Sequence, residues 1–147
     1  MNKKNLVFYL IAFSIVFLDQ LTKYLIKRNL SIDQTIPIIR NRIHITYVAN
    51  TGSAFGFFKG FNLLFILFSI LVIFVIFHYL KDVQKKEVLT LFSLGLLFGG
   101  TVGNLIDRIF RGAVTDFVDF RIWPVFNLAD SAITISVIIL VIILWKK

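Results

Sequence analysis

Residues 95–130 read GLLFGGTVGNLIDRIFRGAVTDFVDFRIWPVFNLAD, and this stretch decides how the chain is organised. It leaves one hydrophobic run at Asp107, crosses a short polar segment that contains Asp116 and Asp119, and enters a second hydrophobic run at Asp130. Ionisable side chains at membrane depth are costly, so they are candidates for function. The pattern predicts a group of acids at the outer face of a membrane, two of which are candidates for a catalytic pair.

The composition indicates an integral membrane protein. Of the 147 residues, 58% are hydrophobic and 16% are aromatic, and the mean hydropathy is +0.86, which is too apolar for a soluble domain of this length. The net charge of +8 comes with lysines at the ends of apolar runs, so we expect contact with anionic lipid and not with nucleic acid. The sequence has no cysteine and no His-Glu-x-x-His motif, which excludes thiolate sites and argues against a zinc peptidase. We therefore expect no metal and no other cofactor.

Four hydrophobic runs predict four transmembrane helices in a single domain. A bilayer core of about 30 Å needs roughly 20 helical residues, and the uncharged parts of the first and last runs are shorter than this. The first helix must therefore include Asp19 and Lys23, and the fourth must include Asn127 and Asp130. The domain covers residues 1–147, and the predicted spans are residues 6–26, 60–80, 88–106 and 126–145.

The polar segment between the first two spans has the pattern of a small β-hairpin. Residues 34–39 and 43–48 are rich in isoleucine, the second run alternates apolar and polar side chains, and residues 40–42 supply the turn. We expect an extracytoplasmic hairpin, or cradle, with one apolar face that rests on lipid. The predicted fold class is thus an all-α membrane protein, a four-helix bundle with this hairpin between helices 1 and 2. Small residues follow from Asn50 to Gly56, which would let the backbone approach a substrate.

Two further patterns concern the surroundings of the acids. An extended strand over residues 114–122 would place Asp116 on an apolar face and Asp119 on the opposite, water-facing side. Glycines recur every four residues in the third span and predict close packing against a neighbouring helix; they are Gly95, Gly99 and Gly103.

The distribution of lysines predicts the orientation. Four spans put both termini on one side of the membrane. Seven lysines lie densely at the termini and in the short loop between spans 2 and 3, whereas the other nine basic residues are spread over longer segments on the opposite side. Short lysine-rich segments stay in the cytoplasm. We therefore expect cytoplasmic N- and C-termini, and the unusual polar residues then converge on the outer side.

Converging acids at this depth predict proton chemistry. Two carboxyl groups in a partly dry site cannot both ionise easily, so one keeps its proton. The ionised group can take a proton from water while the neutral one hydrogen-bonds a scissile carbonyl, which cleaves a peptide bond without a nucleophilic side chain or a metal. A purely structural cluster of carboxylates is the alternative. Asp19 and Lys23, one helical turn apart, form either a salt bridge near the surface or a pair that positions the site.

Five motifs resemble those of the lipoprotein signal peptidases, also called signal peptidase II. They occur in the order of that family and cover nearly the whole chain, and five in one order are specific although each is weak alone. They are Asp19-Gln20-x-Thr22-Lys23, Asn50-x-Gly52-x-Ala54-Phe55-Gly56, Gly99-Gly100-x-x-Gly103-Asn104-x-x-Asp107-Arg108, Val114-x-Asp116-Phe117 and Phe126-Asn127-x-Ala129-Asp130.

The resemblance implies a bacterial aspartyl endopeptidase of the cytoplasmic (inner) membrane, with four transmembrane helices and an outward-facing site. Such an enzyme removes the signal peptide from diacylglyceryl-modified prolipoproteins by cleaving before the lipidated cysteine. Its partners are these substrates and membrane lipid, and we expect a monomer. By motif, the catalytic dyad is Asp116 and Asp130. The substrate-binding residues are Asn50, Gly52, Asn104, Arg108 and Asn127, and the supporting residues are Asp19 and Lys23.

The sequence departs from that family at two places, and two other functions are considered. Asp116 and Asp130 are 14 residues apart, which is shorter than expected and indicates a clipped loop before the fourth span, and Ser53 stands where alanine is common. A small proton-coupled transporter would use Asp19 as its membrane acid, but the other polar residues gather at one side and not at the midplane. A serine-type intramembrane protease would need Ser53 and His78, which fall on opposite sides of the membrane.

Overall fold

The hydrophobic runs form four long helices, and three short strands lie between them in the chain. The computed structural model describes residues 3–52, 61–81 and 87–146. All four helices are long and apolar enough to cross a membrane, so the predicted fold class is confirmed. In chain order the elements are α1 (Lys3–Asn29), β1 (Thr35–Ile39), β2 (Ile43–Asn50), α2 (Asn62–Leu80), α3 (Val88–Arg111), β3 (Val114–Asp119) and α4 (Leu128–Trp145).

Helix α3 is the centre of the bundle. It packs against α1, α2 and α4, and 12 of its 24 residues are buried. The other three helices instead expose many large apolar side chains, as helices that face lipid must. Because α3 is surrounded, the polar groups near its C-terminal end are also separated from lipid.

The glycine stripe of α3 sets its distance from α1. A Cβ atom added to Gly99 would lie 2.9 Å from the backbone oxygen of Ala12 and 2.8 Å from the Cβ of Ile15. A Cβ atom added to Gly103 would lie 2.5 Å from Asp19 Oδ2. The prediction of close packing is therefore confirmed, and this packing brings Asp19 directly against α3.

The interior of the bundle is apolar at one end and polar at the other. Phe8, Ile76, Leu91 and Leu94 form a buried apolar cluster at the first end. At the opposite end, where β3 packs against α1 and α3, the fully buried side chains are charged groups and a carboxamide. Buried polar groups need hydrogen-bond partners, so the residues at this end must form a connected network. They are Asp19, Lys23, Asp107 and Asn127.

The strands form one antiparallel sheet in the order β1-β2-β3. Strands β1 and β2 are the predicted hairpin, with Thr35 opposite Thr46. The extended segment after α3 joins this hairpin as a third strand, which the sequence analysis does not predict, and it places Asp116 opposite Val48. This pairing carries Asn50, at the end of β2, to the side of Asp116.

Two expectations about the segment after α3 are wrong. The extended conformation ends at Asp119, because the chain turns back and Phe126 exchanges backbone hydrogen bonds with Val118, of 2.8 and 3.1 Å. Asp119 does not face water: only 5% of it is exposed, and Thr46 donates a hydrogen bond of 2.7 Å to its Oδ2. Pairing of β3 with β2 brings this threonine over the carboxylate.

Part of one predicted feature lies outside the described residues. The small-residue segment from Asn50 to Gly56 is described as far as Gly52, and Ser53 falls in the remainder.

Gly99→Ala should destabilise the bundle by about 1–3 kcal/mol, because the new methyl group overlaps the backbone of α1 and forces the two helices apart. Thermal unfolding of the purified protein in detergent measures the effect as a lower Tm. Val141→Ile is the matched control, since it adds one methylene at a position of α4 that is 55% exposed and should leave Tm unchanged. Equal Tm values for the two variants would mean that the glycine stripe does not set the helix spacing.

Candidate active site

Asp116 and Asp130 come from different elements and line one cleft. Asp116 lies in β3 and is 2% exposed, whereas Asp130 lies in the first turn of α4. The cleft has a volume of about 520 Å³, and its lining includes Asn50, Gly52 and Arg108. The structure thus brings together both predicted catalytic residues and three of the predicted substrate-binding residues.

The carboxamide of Asn127 connects the two acids. Its Oδ1 accepts a hydrogen bond of 2.9 Å from the backbone N–H of Asp130, and the Asp130 carboxylate accepts one of 3.2 Å from the Asn127 N–H. This reciprocal capping box begins α4. The Nδ2 of the same carboxamide donates to Asp116 Oδ1 at 2.6 Å. One buried side chain therefore caps the helix and holds the carboxyl group of the strand against it.

Two further asparagines supply one hydrogen-bond donor to each acid. Asn50 Nδ2 donates to Asp116 Oδ2 at 2.8 Å, and Asn104 Nδ2 donates to Asp130 Oδ1 at 2.8 Å. Asn104 is 4% exposed and Asn127 is fully buried, and neither side chain belongs to the lining of the cleft. The structure therefore places Asn104 and Asn127 behind the acids, and only Asn50 reaches both an acid and the cleft.

Asp116 keeps its proton to higher pH than an ordinary aspartate. Burial, reinforced by the negative charge of Asp130, raises the pKa of Asp116 from its ordinary value of 3.8 to about 7. The hydrogen bonds from Asn50 and Asn127 oppose this shift, because they stabilise the carboxylate. Asp116 is therefore an acid that changes its charge near neutral pH inside a cleft.

The nearby Asp119 has the opposite electrostatic environment. Burial on its own would raise the pKa of Asp119, but hydrogen bonds from Thr46 and from Arg121 outweigh it, and the pKa lies below its ordinary value. Arg121 also forms an ion pair of 3.1 Å with this carboxylate. Asp119 is thus a neutralised structural acid.

A fully buried ion pair of 2.9 Å joins Asp19 and Lys23, so the pair does not lie near the surface. Asp19 Oδ1 also accepts the backbone N–H of Ala129 at 3.1 Å, one of the N–H groups that a helix leaves without a partner at its start. Lys23 Nζ donates to Asn104 Oδ1 at 2.9 Å and lies 3.3 Å from Asp107 Oδ2. The anion of the pair therefore reaches α4, and the cation reaches Asn104.

Asp107 is missing from the predicted site residues, yet it is fully buried in the same network. Its Oδ2 accepts the backbone N–H of Thr115 at 3.0 Å, and its Oδ1 is bonded to Arg111. It therefore ties the start of β3 to the last turn of α3. Asp107 shares one sequence motif with Asn104 and Arg108, and this motif could have identified it as a residue of the site.

Apolar residues form much of the cleft wall, and none of them is among the predicted site residues. The ring of Phe65, on α2, has its centroid 4.9 Å from Arg108 Cζ, which places the guanidinium group over the aromatic face. Trp123, Pro124 and Val125, between β3 and α4, form another part of the wall. These positions carry no polar pattern, so only the fold identifies them.

A proton-coupled transporter would depend on Asp19, and a serine-type protease would depend on Ser53 and His78. None of these residues is among the described residues that line the cleft. Asp19 is fully buried and is absent from the lining. His78 is in the last turn of α2, whereas Phe65, in the first turn, lines the cleft. Ser53 lies outside the described residues. Among residues 3–52, 61–81 and 87–146, no three His, Cys, Asp or Glu residues form a group that could hold a metal ion.

Comparison with protein families and with curated proteins gives one consistent result. The sequence model of the family described as Signal peptidase (SPase) II matches residues 11–146. The lipoprotein signal peptidase of Halothermothrix orenii is 43% identical over 139 residues, which is 95% of each chain. That of Moorella thermoacetica is 44% identical over 133 residues, which is 90% of this chain and 89% of the relative.

Comparison with solved structures agrees with this. Two structures described as bacterial membrane enzymes are similar to the chain, each at 34% sequence identity and each over 95% of this chain. One gives a TM-score of 0.89 over 87% of its own length, and the other gives 0.86 over 93%.

The stability of the folded protein should fall as the pH rises from about 4 to about 7, because folded Asp116 keeps its proton across this range and the unfolded chain loses it. Asp119 affects stability in the opposite direction and at lower pH. Its contribution to the stability of the folded protein is lost only as the pH falls below the ordinary pKa of 3.8. The measurement is Tm in detergent as a function of pH. Asp116→Asn should flatten the dependence of Tm on pH. If this variant kept the same dependence, the raised pKa of Asp116 would be contradicted.

Proposed function

The chain belongs to the signal peptidase II family, and on that premise we propose that it hydrolyses peptide bonds by an aspartic mechanism, with Asp116 and Asp130 as its catalytic dyad. It is a multi-pass membrane peptidase that removes signal peptides from prolipoproteins, with cleavage before the diacylglyceryl-modified cysteine. The family relationship identifies the activity.

The observation that carries the proposal is the contrast between these two acids and the other buried aspartates. Asp116 and Asp130 are held by carboxamide and backbone N–H groups and line a cleft. Within the described residues, neither of them forms an ion pair with Lys or Arg, whereas the other three buried aspartates each do. A structural cluster of carboxylates would be neutralised throughout, as burial of unpaired charge is costly. The paired acids are Asp19, Asp107 and Asp119.

The proposed reaction needs one ionised and one protonated acid. The ionised carboxylate takes a proton from water as the water oxygen attacks the scissile carbonyl carbon, and the protonated acid donates a hydrogen bond to the carbonyl oxygen. The tetrahedral intermediate then collapses: the base returns to the amide nitrogen the proton that it took from water, the C–N bond breaks, and the amine leaves. A pKa of about 7 for Asp116 supports this division, since one acid of the pair then keeps its proton near neutral pH.

We propose that Asn50, Gly52 and Arg108 contact the substrate, because all three line the cleft beside the dyad. The Gly52 N–H donates to Asn50 Oδ1 at 3.0 Å, which fixes the turn that carries both residues to the cleft. Asn104 and Asn127 are covered from the cleft, and we propose that they hold the dyad and do not bind substrate.

The proposed orientation puts the cleft at the outer face of the membrane and both termini in the cytoplasm. Lys81 follows α2 and Lys146 follows α4, so both lie at the helix ends opposite to those that line the cleft, and lysine-rich ends stay inside. A monomer is proposed because one chain supplies both acids and the hydrogen-bond donors that hold them.

Asp116→Asn and Asp130→Asn should each lower the rate of signal-peptide removal by at least about 100-fold, because each variant lacks one of the two proton-transfer groups. The measurement is cleavage of a diacylglyceryl-modified prolipoprotein by the purified variants, with Tm recorded for each protein to establish that it is folded.

Asp119→Asn is the matched control, since it makes the same change in the same strand. Its amide oxygen can still accept the hydrogen bond from Thr46, so activity should stay close to that of the unmodified protein. Near-normal turnover by either dyad variant, or an inactive Asp119 variant beside an active Asp116 variant, would overturn the assignment.

The diacylglyceryl-modified substrate should be cleaved with a kcat/KM at least about tenfold higher than the same polypeptide without lipid. The cleft wall includes Phe65, Trp123 and Ile135, and each buried methylene contributes on the order of 0.8 kcal/mol, so burial of only two methylenes accounts for this ratio. The two forms are compared with the purified enzyme in nanodiscs. Equal values of kcat/KM would mean that the site does not recognise the lipid.

A further inference from the structure

Among the described residues, the buried cation Lys23 forms no hydrogen bond or ion pair with either acid of the dyad, yet it is connected to Asp130 through Asn104. We infer that Lys23 is a positioning residue: by fixing the orientation of the Asn104 carboxamide, it keeps the negative charge of the dyad on Asp130 and leaves the proton on Asp116. The inference rests on the proposed aspartic mechanism and assigns a separate role to each acid.

Lys23 can only donate hydrogen bonds, and it has an acceptor for each of its donors. Nζ lies 2.9 Å from Asp19 Oδ2, 2.9 Å from Asn104 Oδ1 and 3.3 Å from Asp107 Oδ2. An ammonium group has three N–H donors and no acceptor. The Asn104 carboxamide must therefore turn its oxygen, and not its nitrogen, towards Lys23.

This requirement also fixes the other side of the Asn104 carboxamide. Its Oδ1 accepts a second hydrogen bond, of 3.1 Å, from Asn127 Nδ2. Its Nδ2 is left to face Asp130 Oδ1 at 2.8 Å. If the carboxamide turned over, its N–H groups would face the donors of Lys23 and Asn127, and its oxygen would face an oxygen of Asp130.

Asp130 therefore receives a fixed donor at each oxygen. Oδ1 accepts from Asn104, and Oδ2 accepts from the backbone N–H of Asn127 at 3.2 Å. Neither donor can become an acceptor, because Lys23 holds the first and the second is a backbone group. The first turn of a helix also favours negative charge. A carboxylate fits this environment better than a carboxylic acid, which must direct a proton of its own at an acceptor.

Asp116 has more freedom to keep a proton. Its Oδ2 accepts a hydrogen bond from Asn50. Within the described residues, the oxygen of the Asn50 carboxamide accepts a single hydrogen bond, of 3.0 Å, from the Gly52 N–H. No cation holds the Asn50 carboxamide in this orientation within that part of the chain. If it turns over, its oxygen accepts the Asp116 O–H, and the one hydrogen bond given up is that from the Gly52 N–H. The raised pKa of Asp116 agrees with this assignment.

The other charged groups around the dyad also favour the negative charge on Asp130 over a negative charge on Asp116. Arg108 interacts electrostatically with both acids, and more strongly with Asp130 than with Asp116. Lys27 of α1 interacts electrostatically with Asp107 and, less strongly, with Asp19. The remaining charged side chains facing the site from α1 and α3 form a chain of ion pairs, which consists of Asp19, Lys23, Asp107 and Arg111.

Two matched asparagine-to-aspartate variants separate the two acids. Asn104→Asp puts a carboxyl group beside Asp130 and keeps an oxygen for Lys23, whereas Asn50→Asp puts one beside Asp116. In the pH profile of kcat/KM, the acidic limb reports ionisation of the base and the basic limb reports loss of the proton from the acid. We expect Asn104→Asp to move the acidic limb, and Asn50→Asp to move the basic limb, each to higher pH by about one unit.

A double variant tests Lys23 itself. Lys23→Met alone would leave Asp19 buried without its cation, so Asp19→Asn is combined with it. Loss of the cation frees the Asn104 carboxamide to turn over, and the acidic limb should again move to higher pH. The charge of Lys23 also lowers the pKa of Asp116 a little, so the basic limb should move in the same direction by a smaller amount. The matched control is Asp119→Asn with Arg121→Gln, which removes an ion pair outside the dyad and should leave both limbs in place.

Several outcomes would overturn the inference. A folded Asn104→Asp protein or Lys23 double variant with an unmoved acidic limb would mean a purely structural role, since such a role lowers the rate equally at every pH. Movement of the acidic limb by Asn50→Asp would place the proton on Asp130. Asn50 is only partly buried, so this variant decides the question even if the others do not fold. Activity of Asp116→Asn or Asp130→Asn would instead remove the aspartic mechanism itself.

Discussion

The carboxamide of Asn127 is the contact on which the rest of the site depends. A helix that begins at the edge of a membrane has N–H groups without intrahelical partners, and they must be satisfied where water is scarce. Asn127 and Asp19 accept two of these N–H groups, and Asp130 accepts that of the capping residue. Because Asn127 also donates to Asp116, the carboxamide that caps α4 is the one that joins Asp116 to Asp130.

This arrangement needs a polar layer inside a membrane protein, and close helix packing makes that layer feasible. Burial of a charge costs several kcal/mol unless partners surround it. Asp19 and Lys23 find such partners on α3 and α4 because Gly103 lets α1 approach to contact distance. The apolar cluster of Phe8 and its neighbours lies at the other end of the bundle, so the two kinds of interior do not compete for the same space.

The sequence predicts features that depend on local pattern, and it misses those that depend on long-range pairing. The four helices follow from run length, and the hairpin follows from alternating isoleucines. Nothing within Val114–Asp119 specifies that β2 is its partner, so neither the third strand nor the burial of Asp119 under Thr46 was predicted. The dyad was predicted from convergence and motif resemblance. The burial of Asn104 and Asn127 could not be predicted, because a buried asparagine and an exposed one are identical in sequence.

The differing partners of the acids explain how one small bundle holds four buried aspartates and the half-buried Asp130 in different states. Arg or Lys neutralises Asp19, Asp107 and Asp119, and a neutralised carboxylate is fixed in charge and serves as a joint between elements. Carboxamides and backbone N–H groups also hold a carboxyl group in position, but they carry no full charge. A carboxyl group held in this way can therefore still gain or lose a proton. The proposed aspartic mechanism uses both kinds of acid. Lys23 accordingly lies one residue away from Asp130, where it contacts the carboxamide of Asn104 and, within the described residues, forms no ion pair with Asp116 or Asp130.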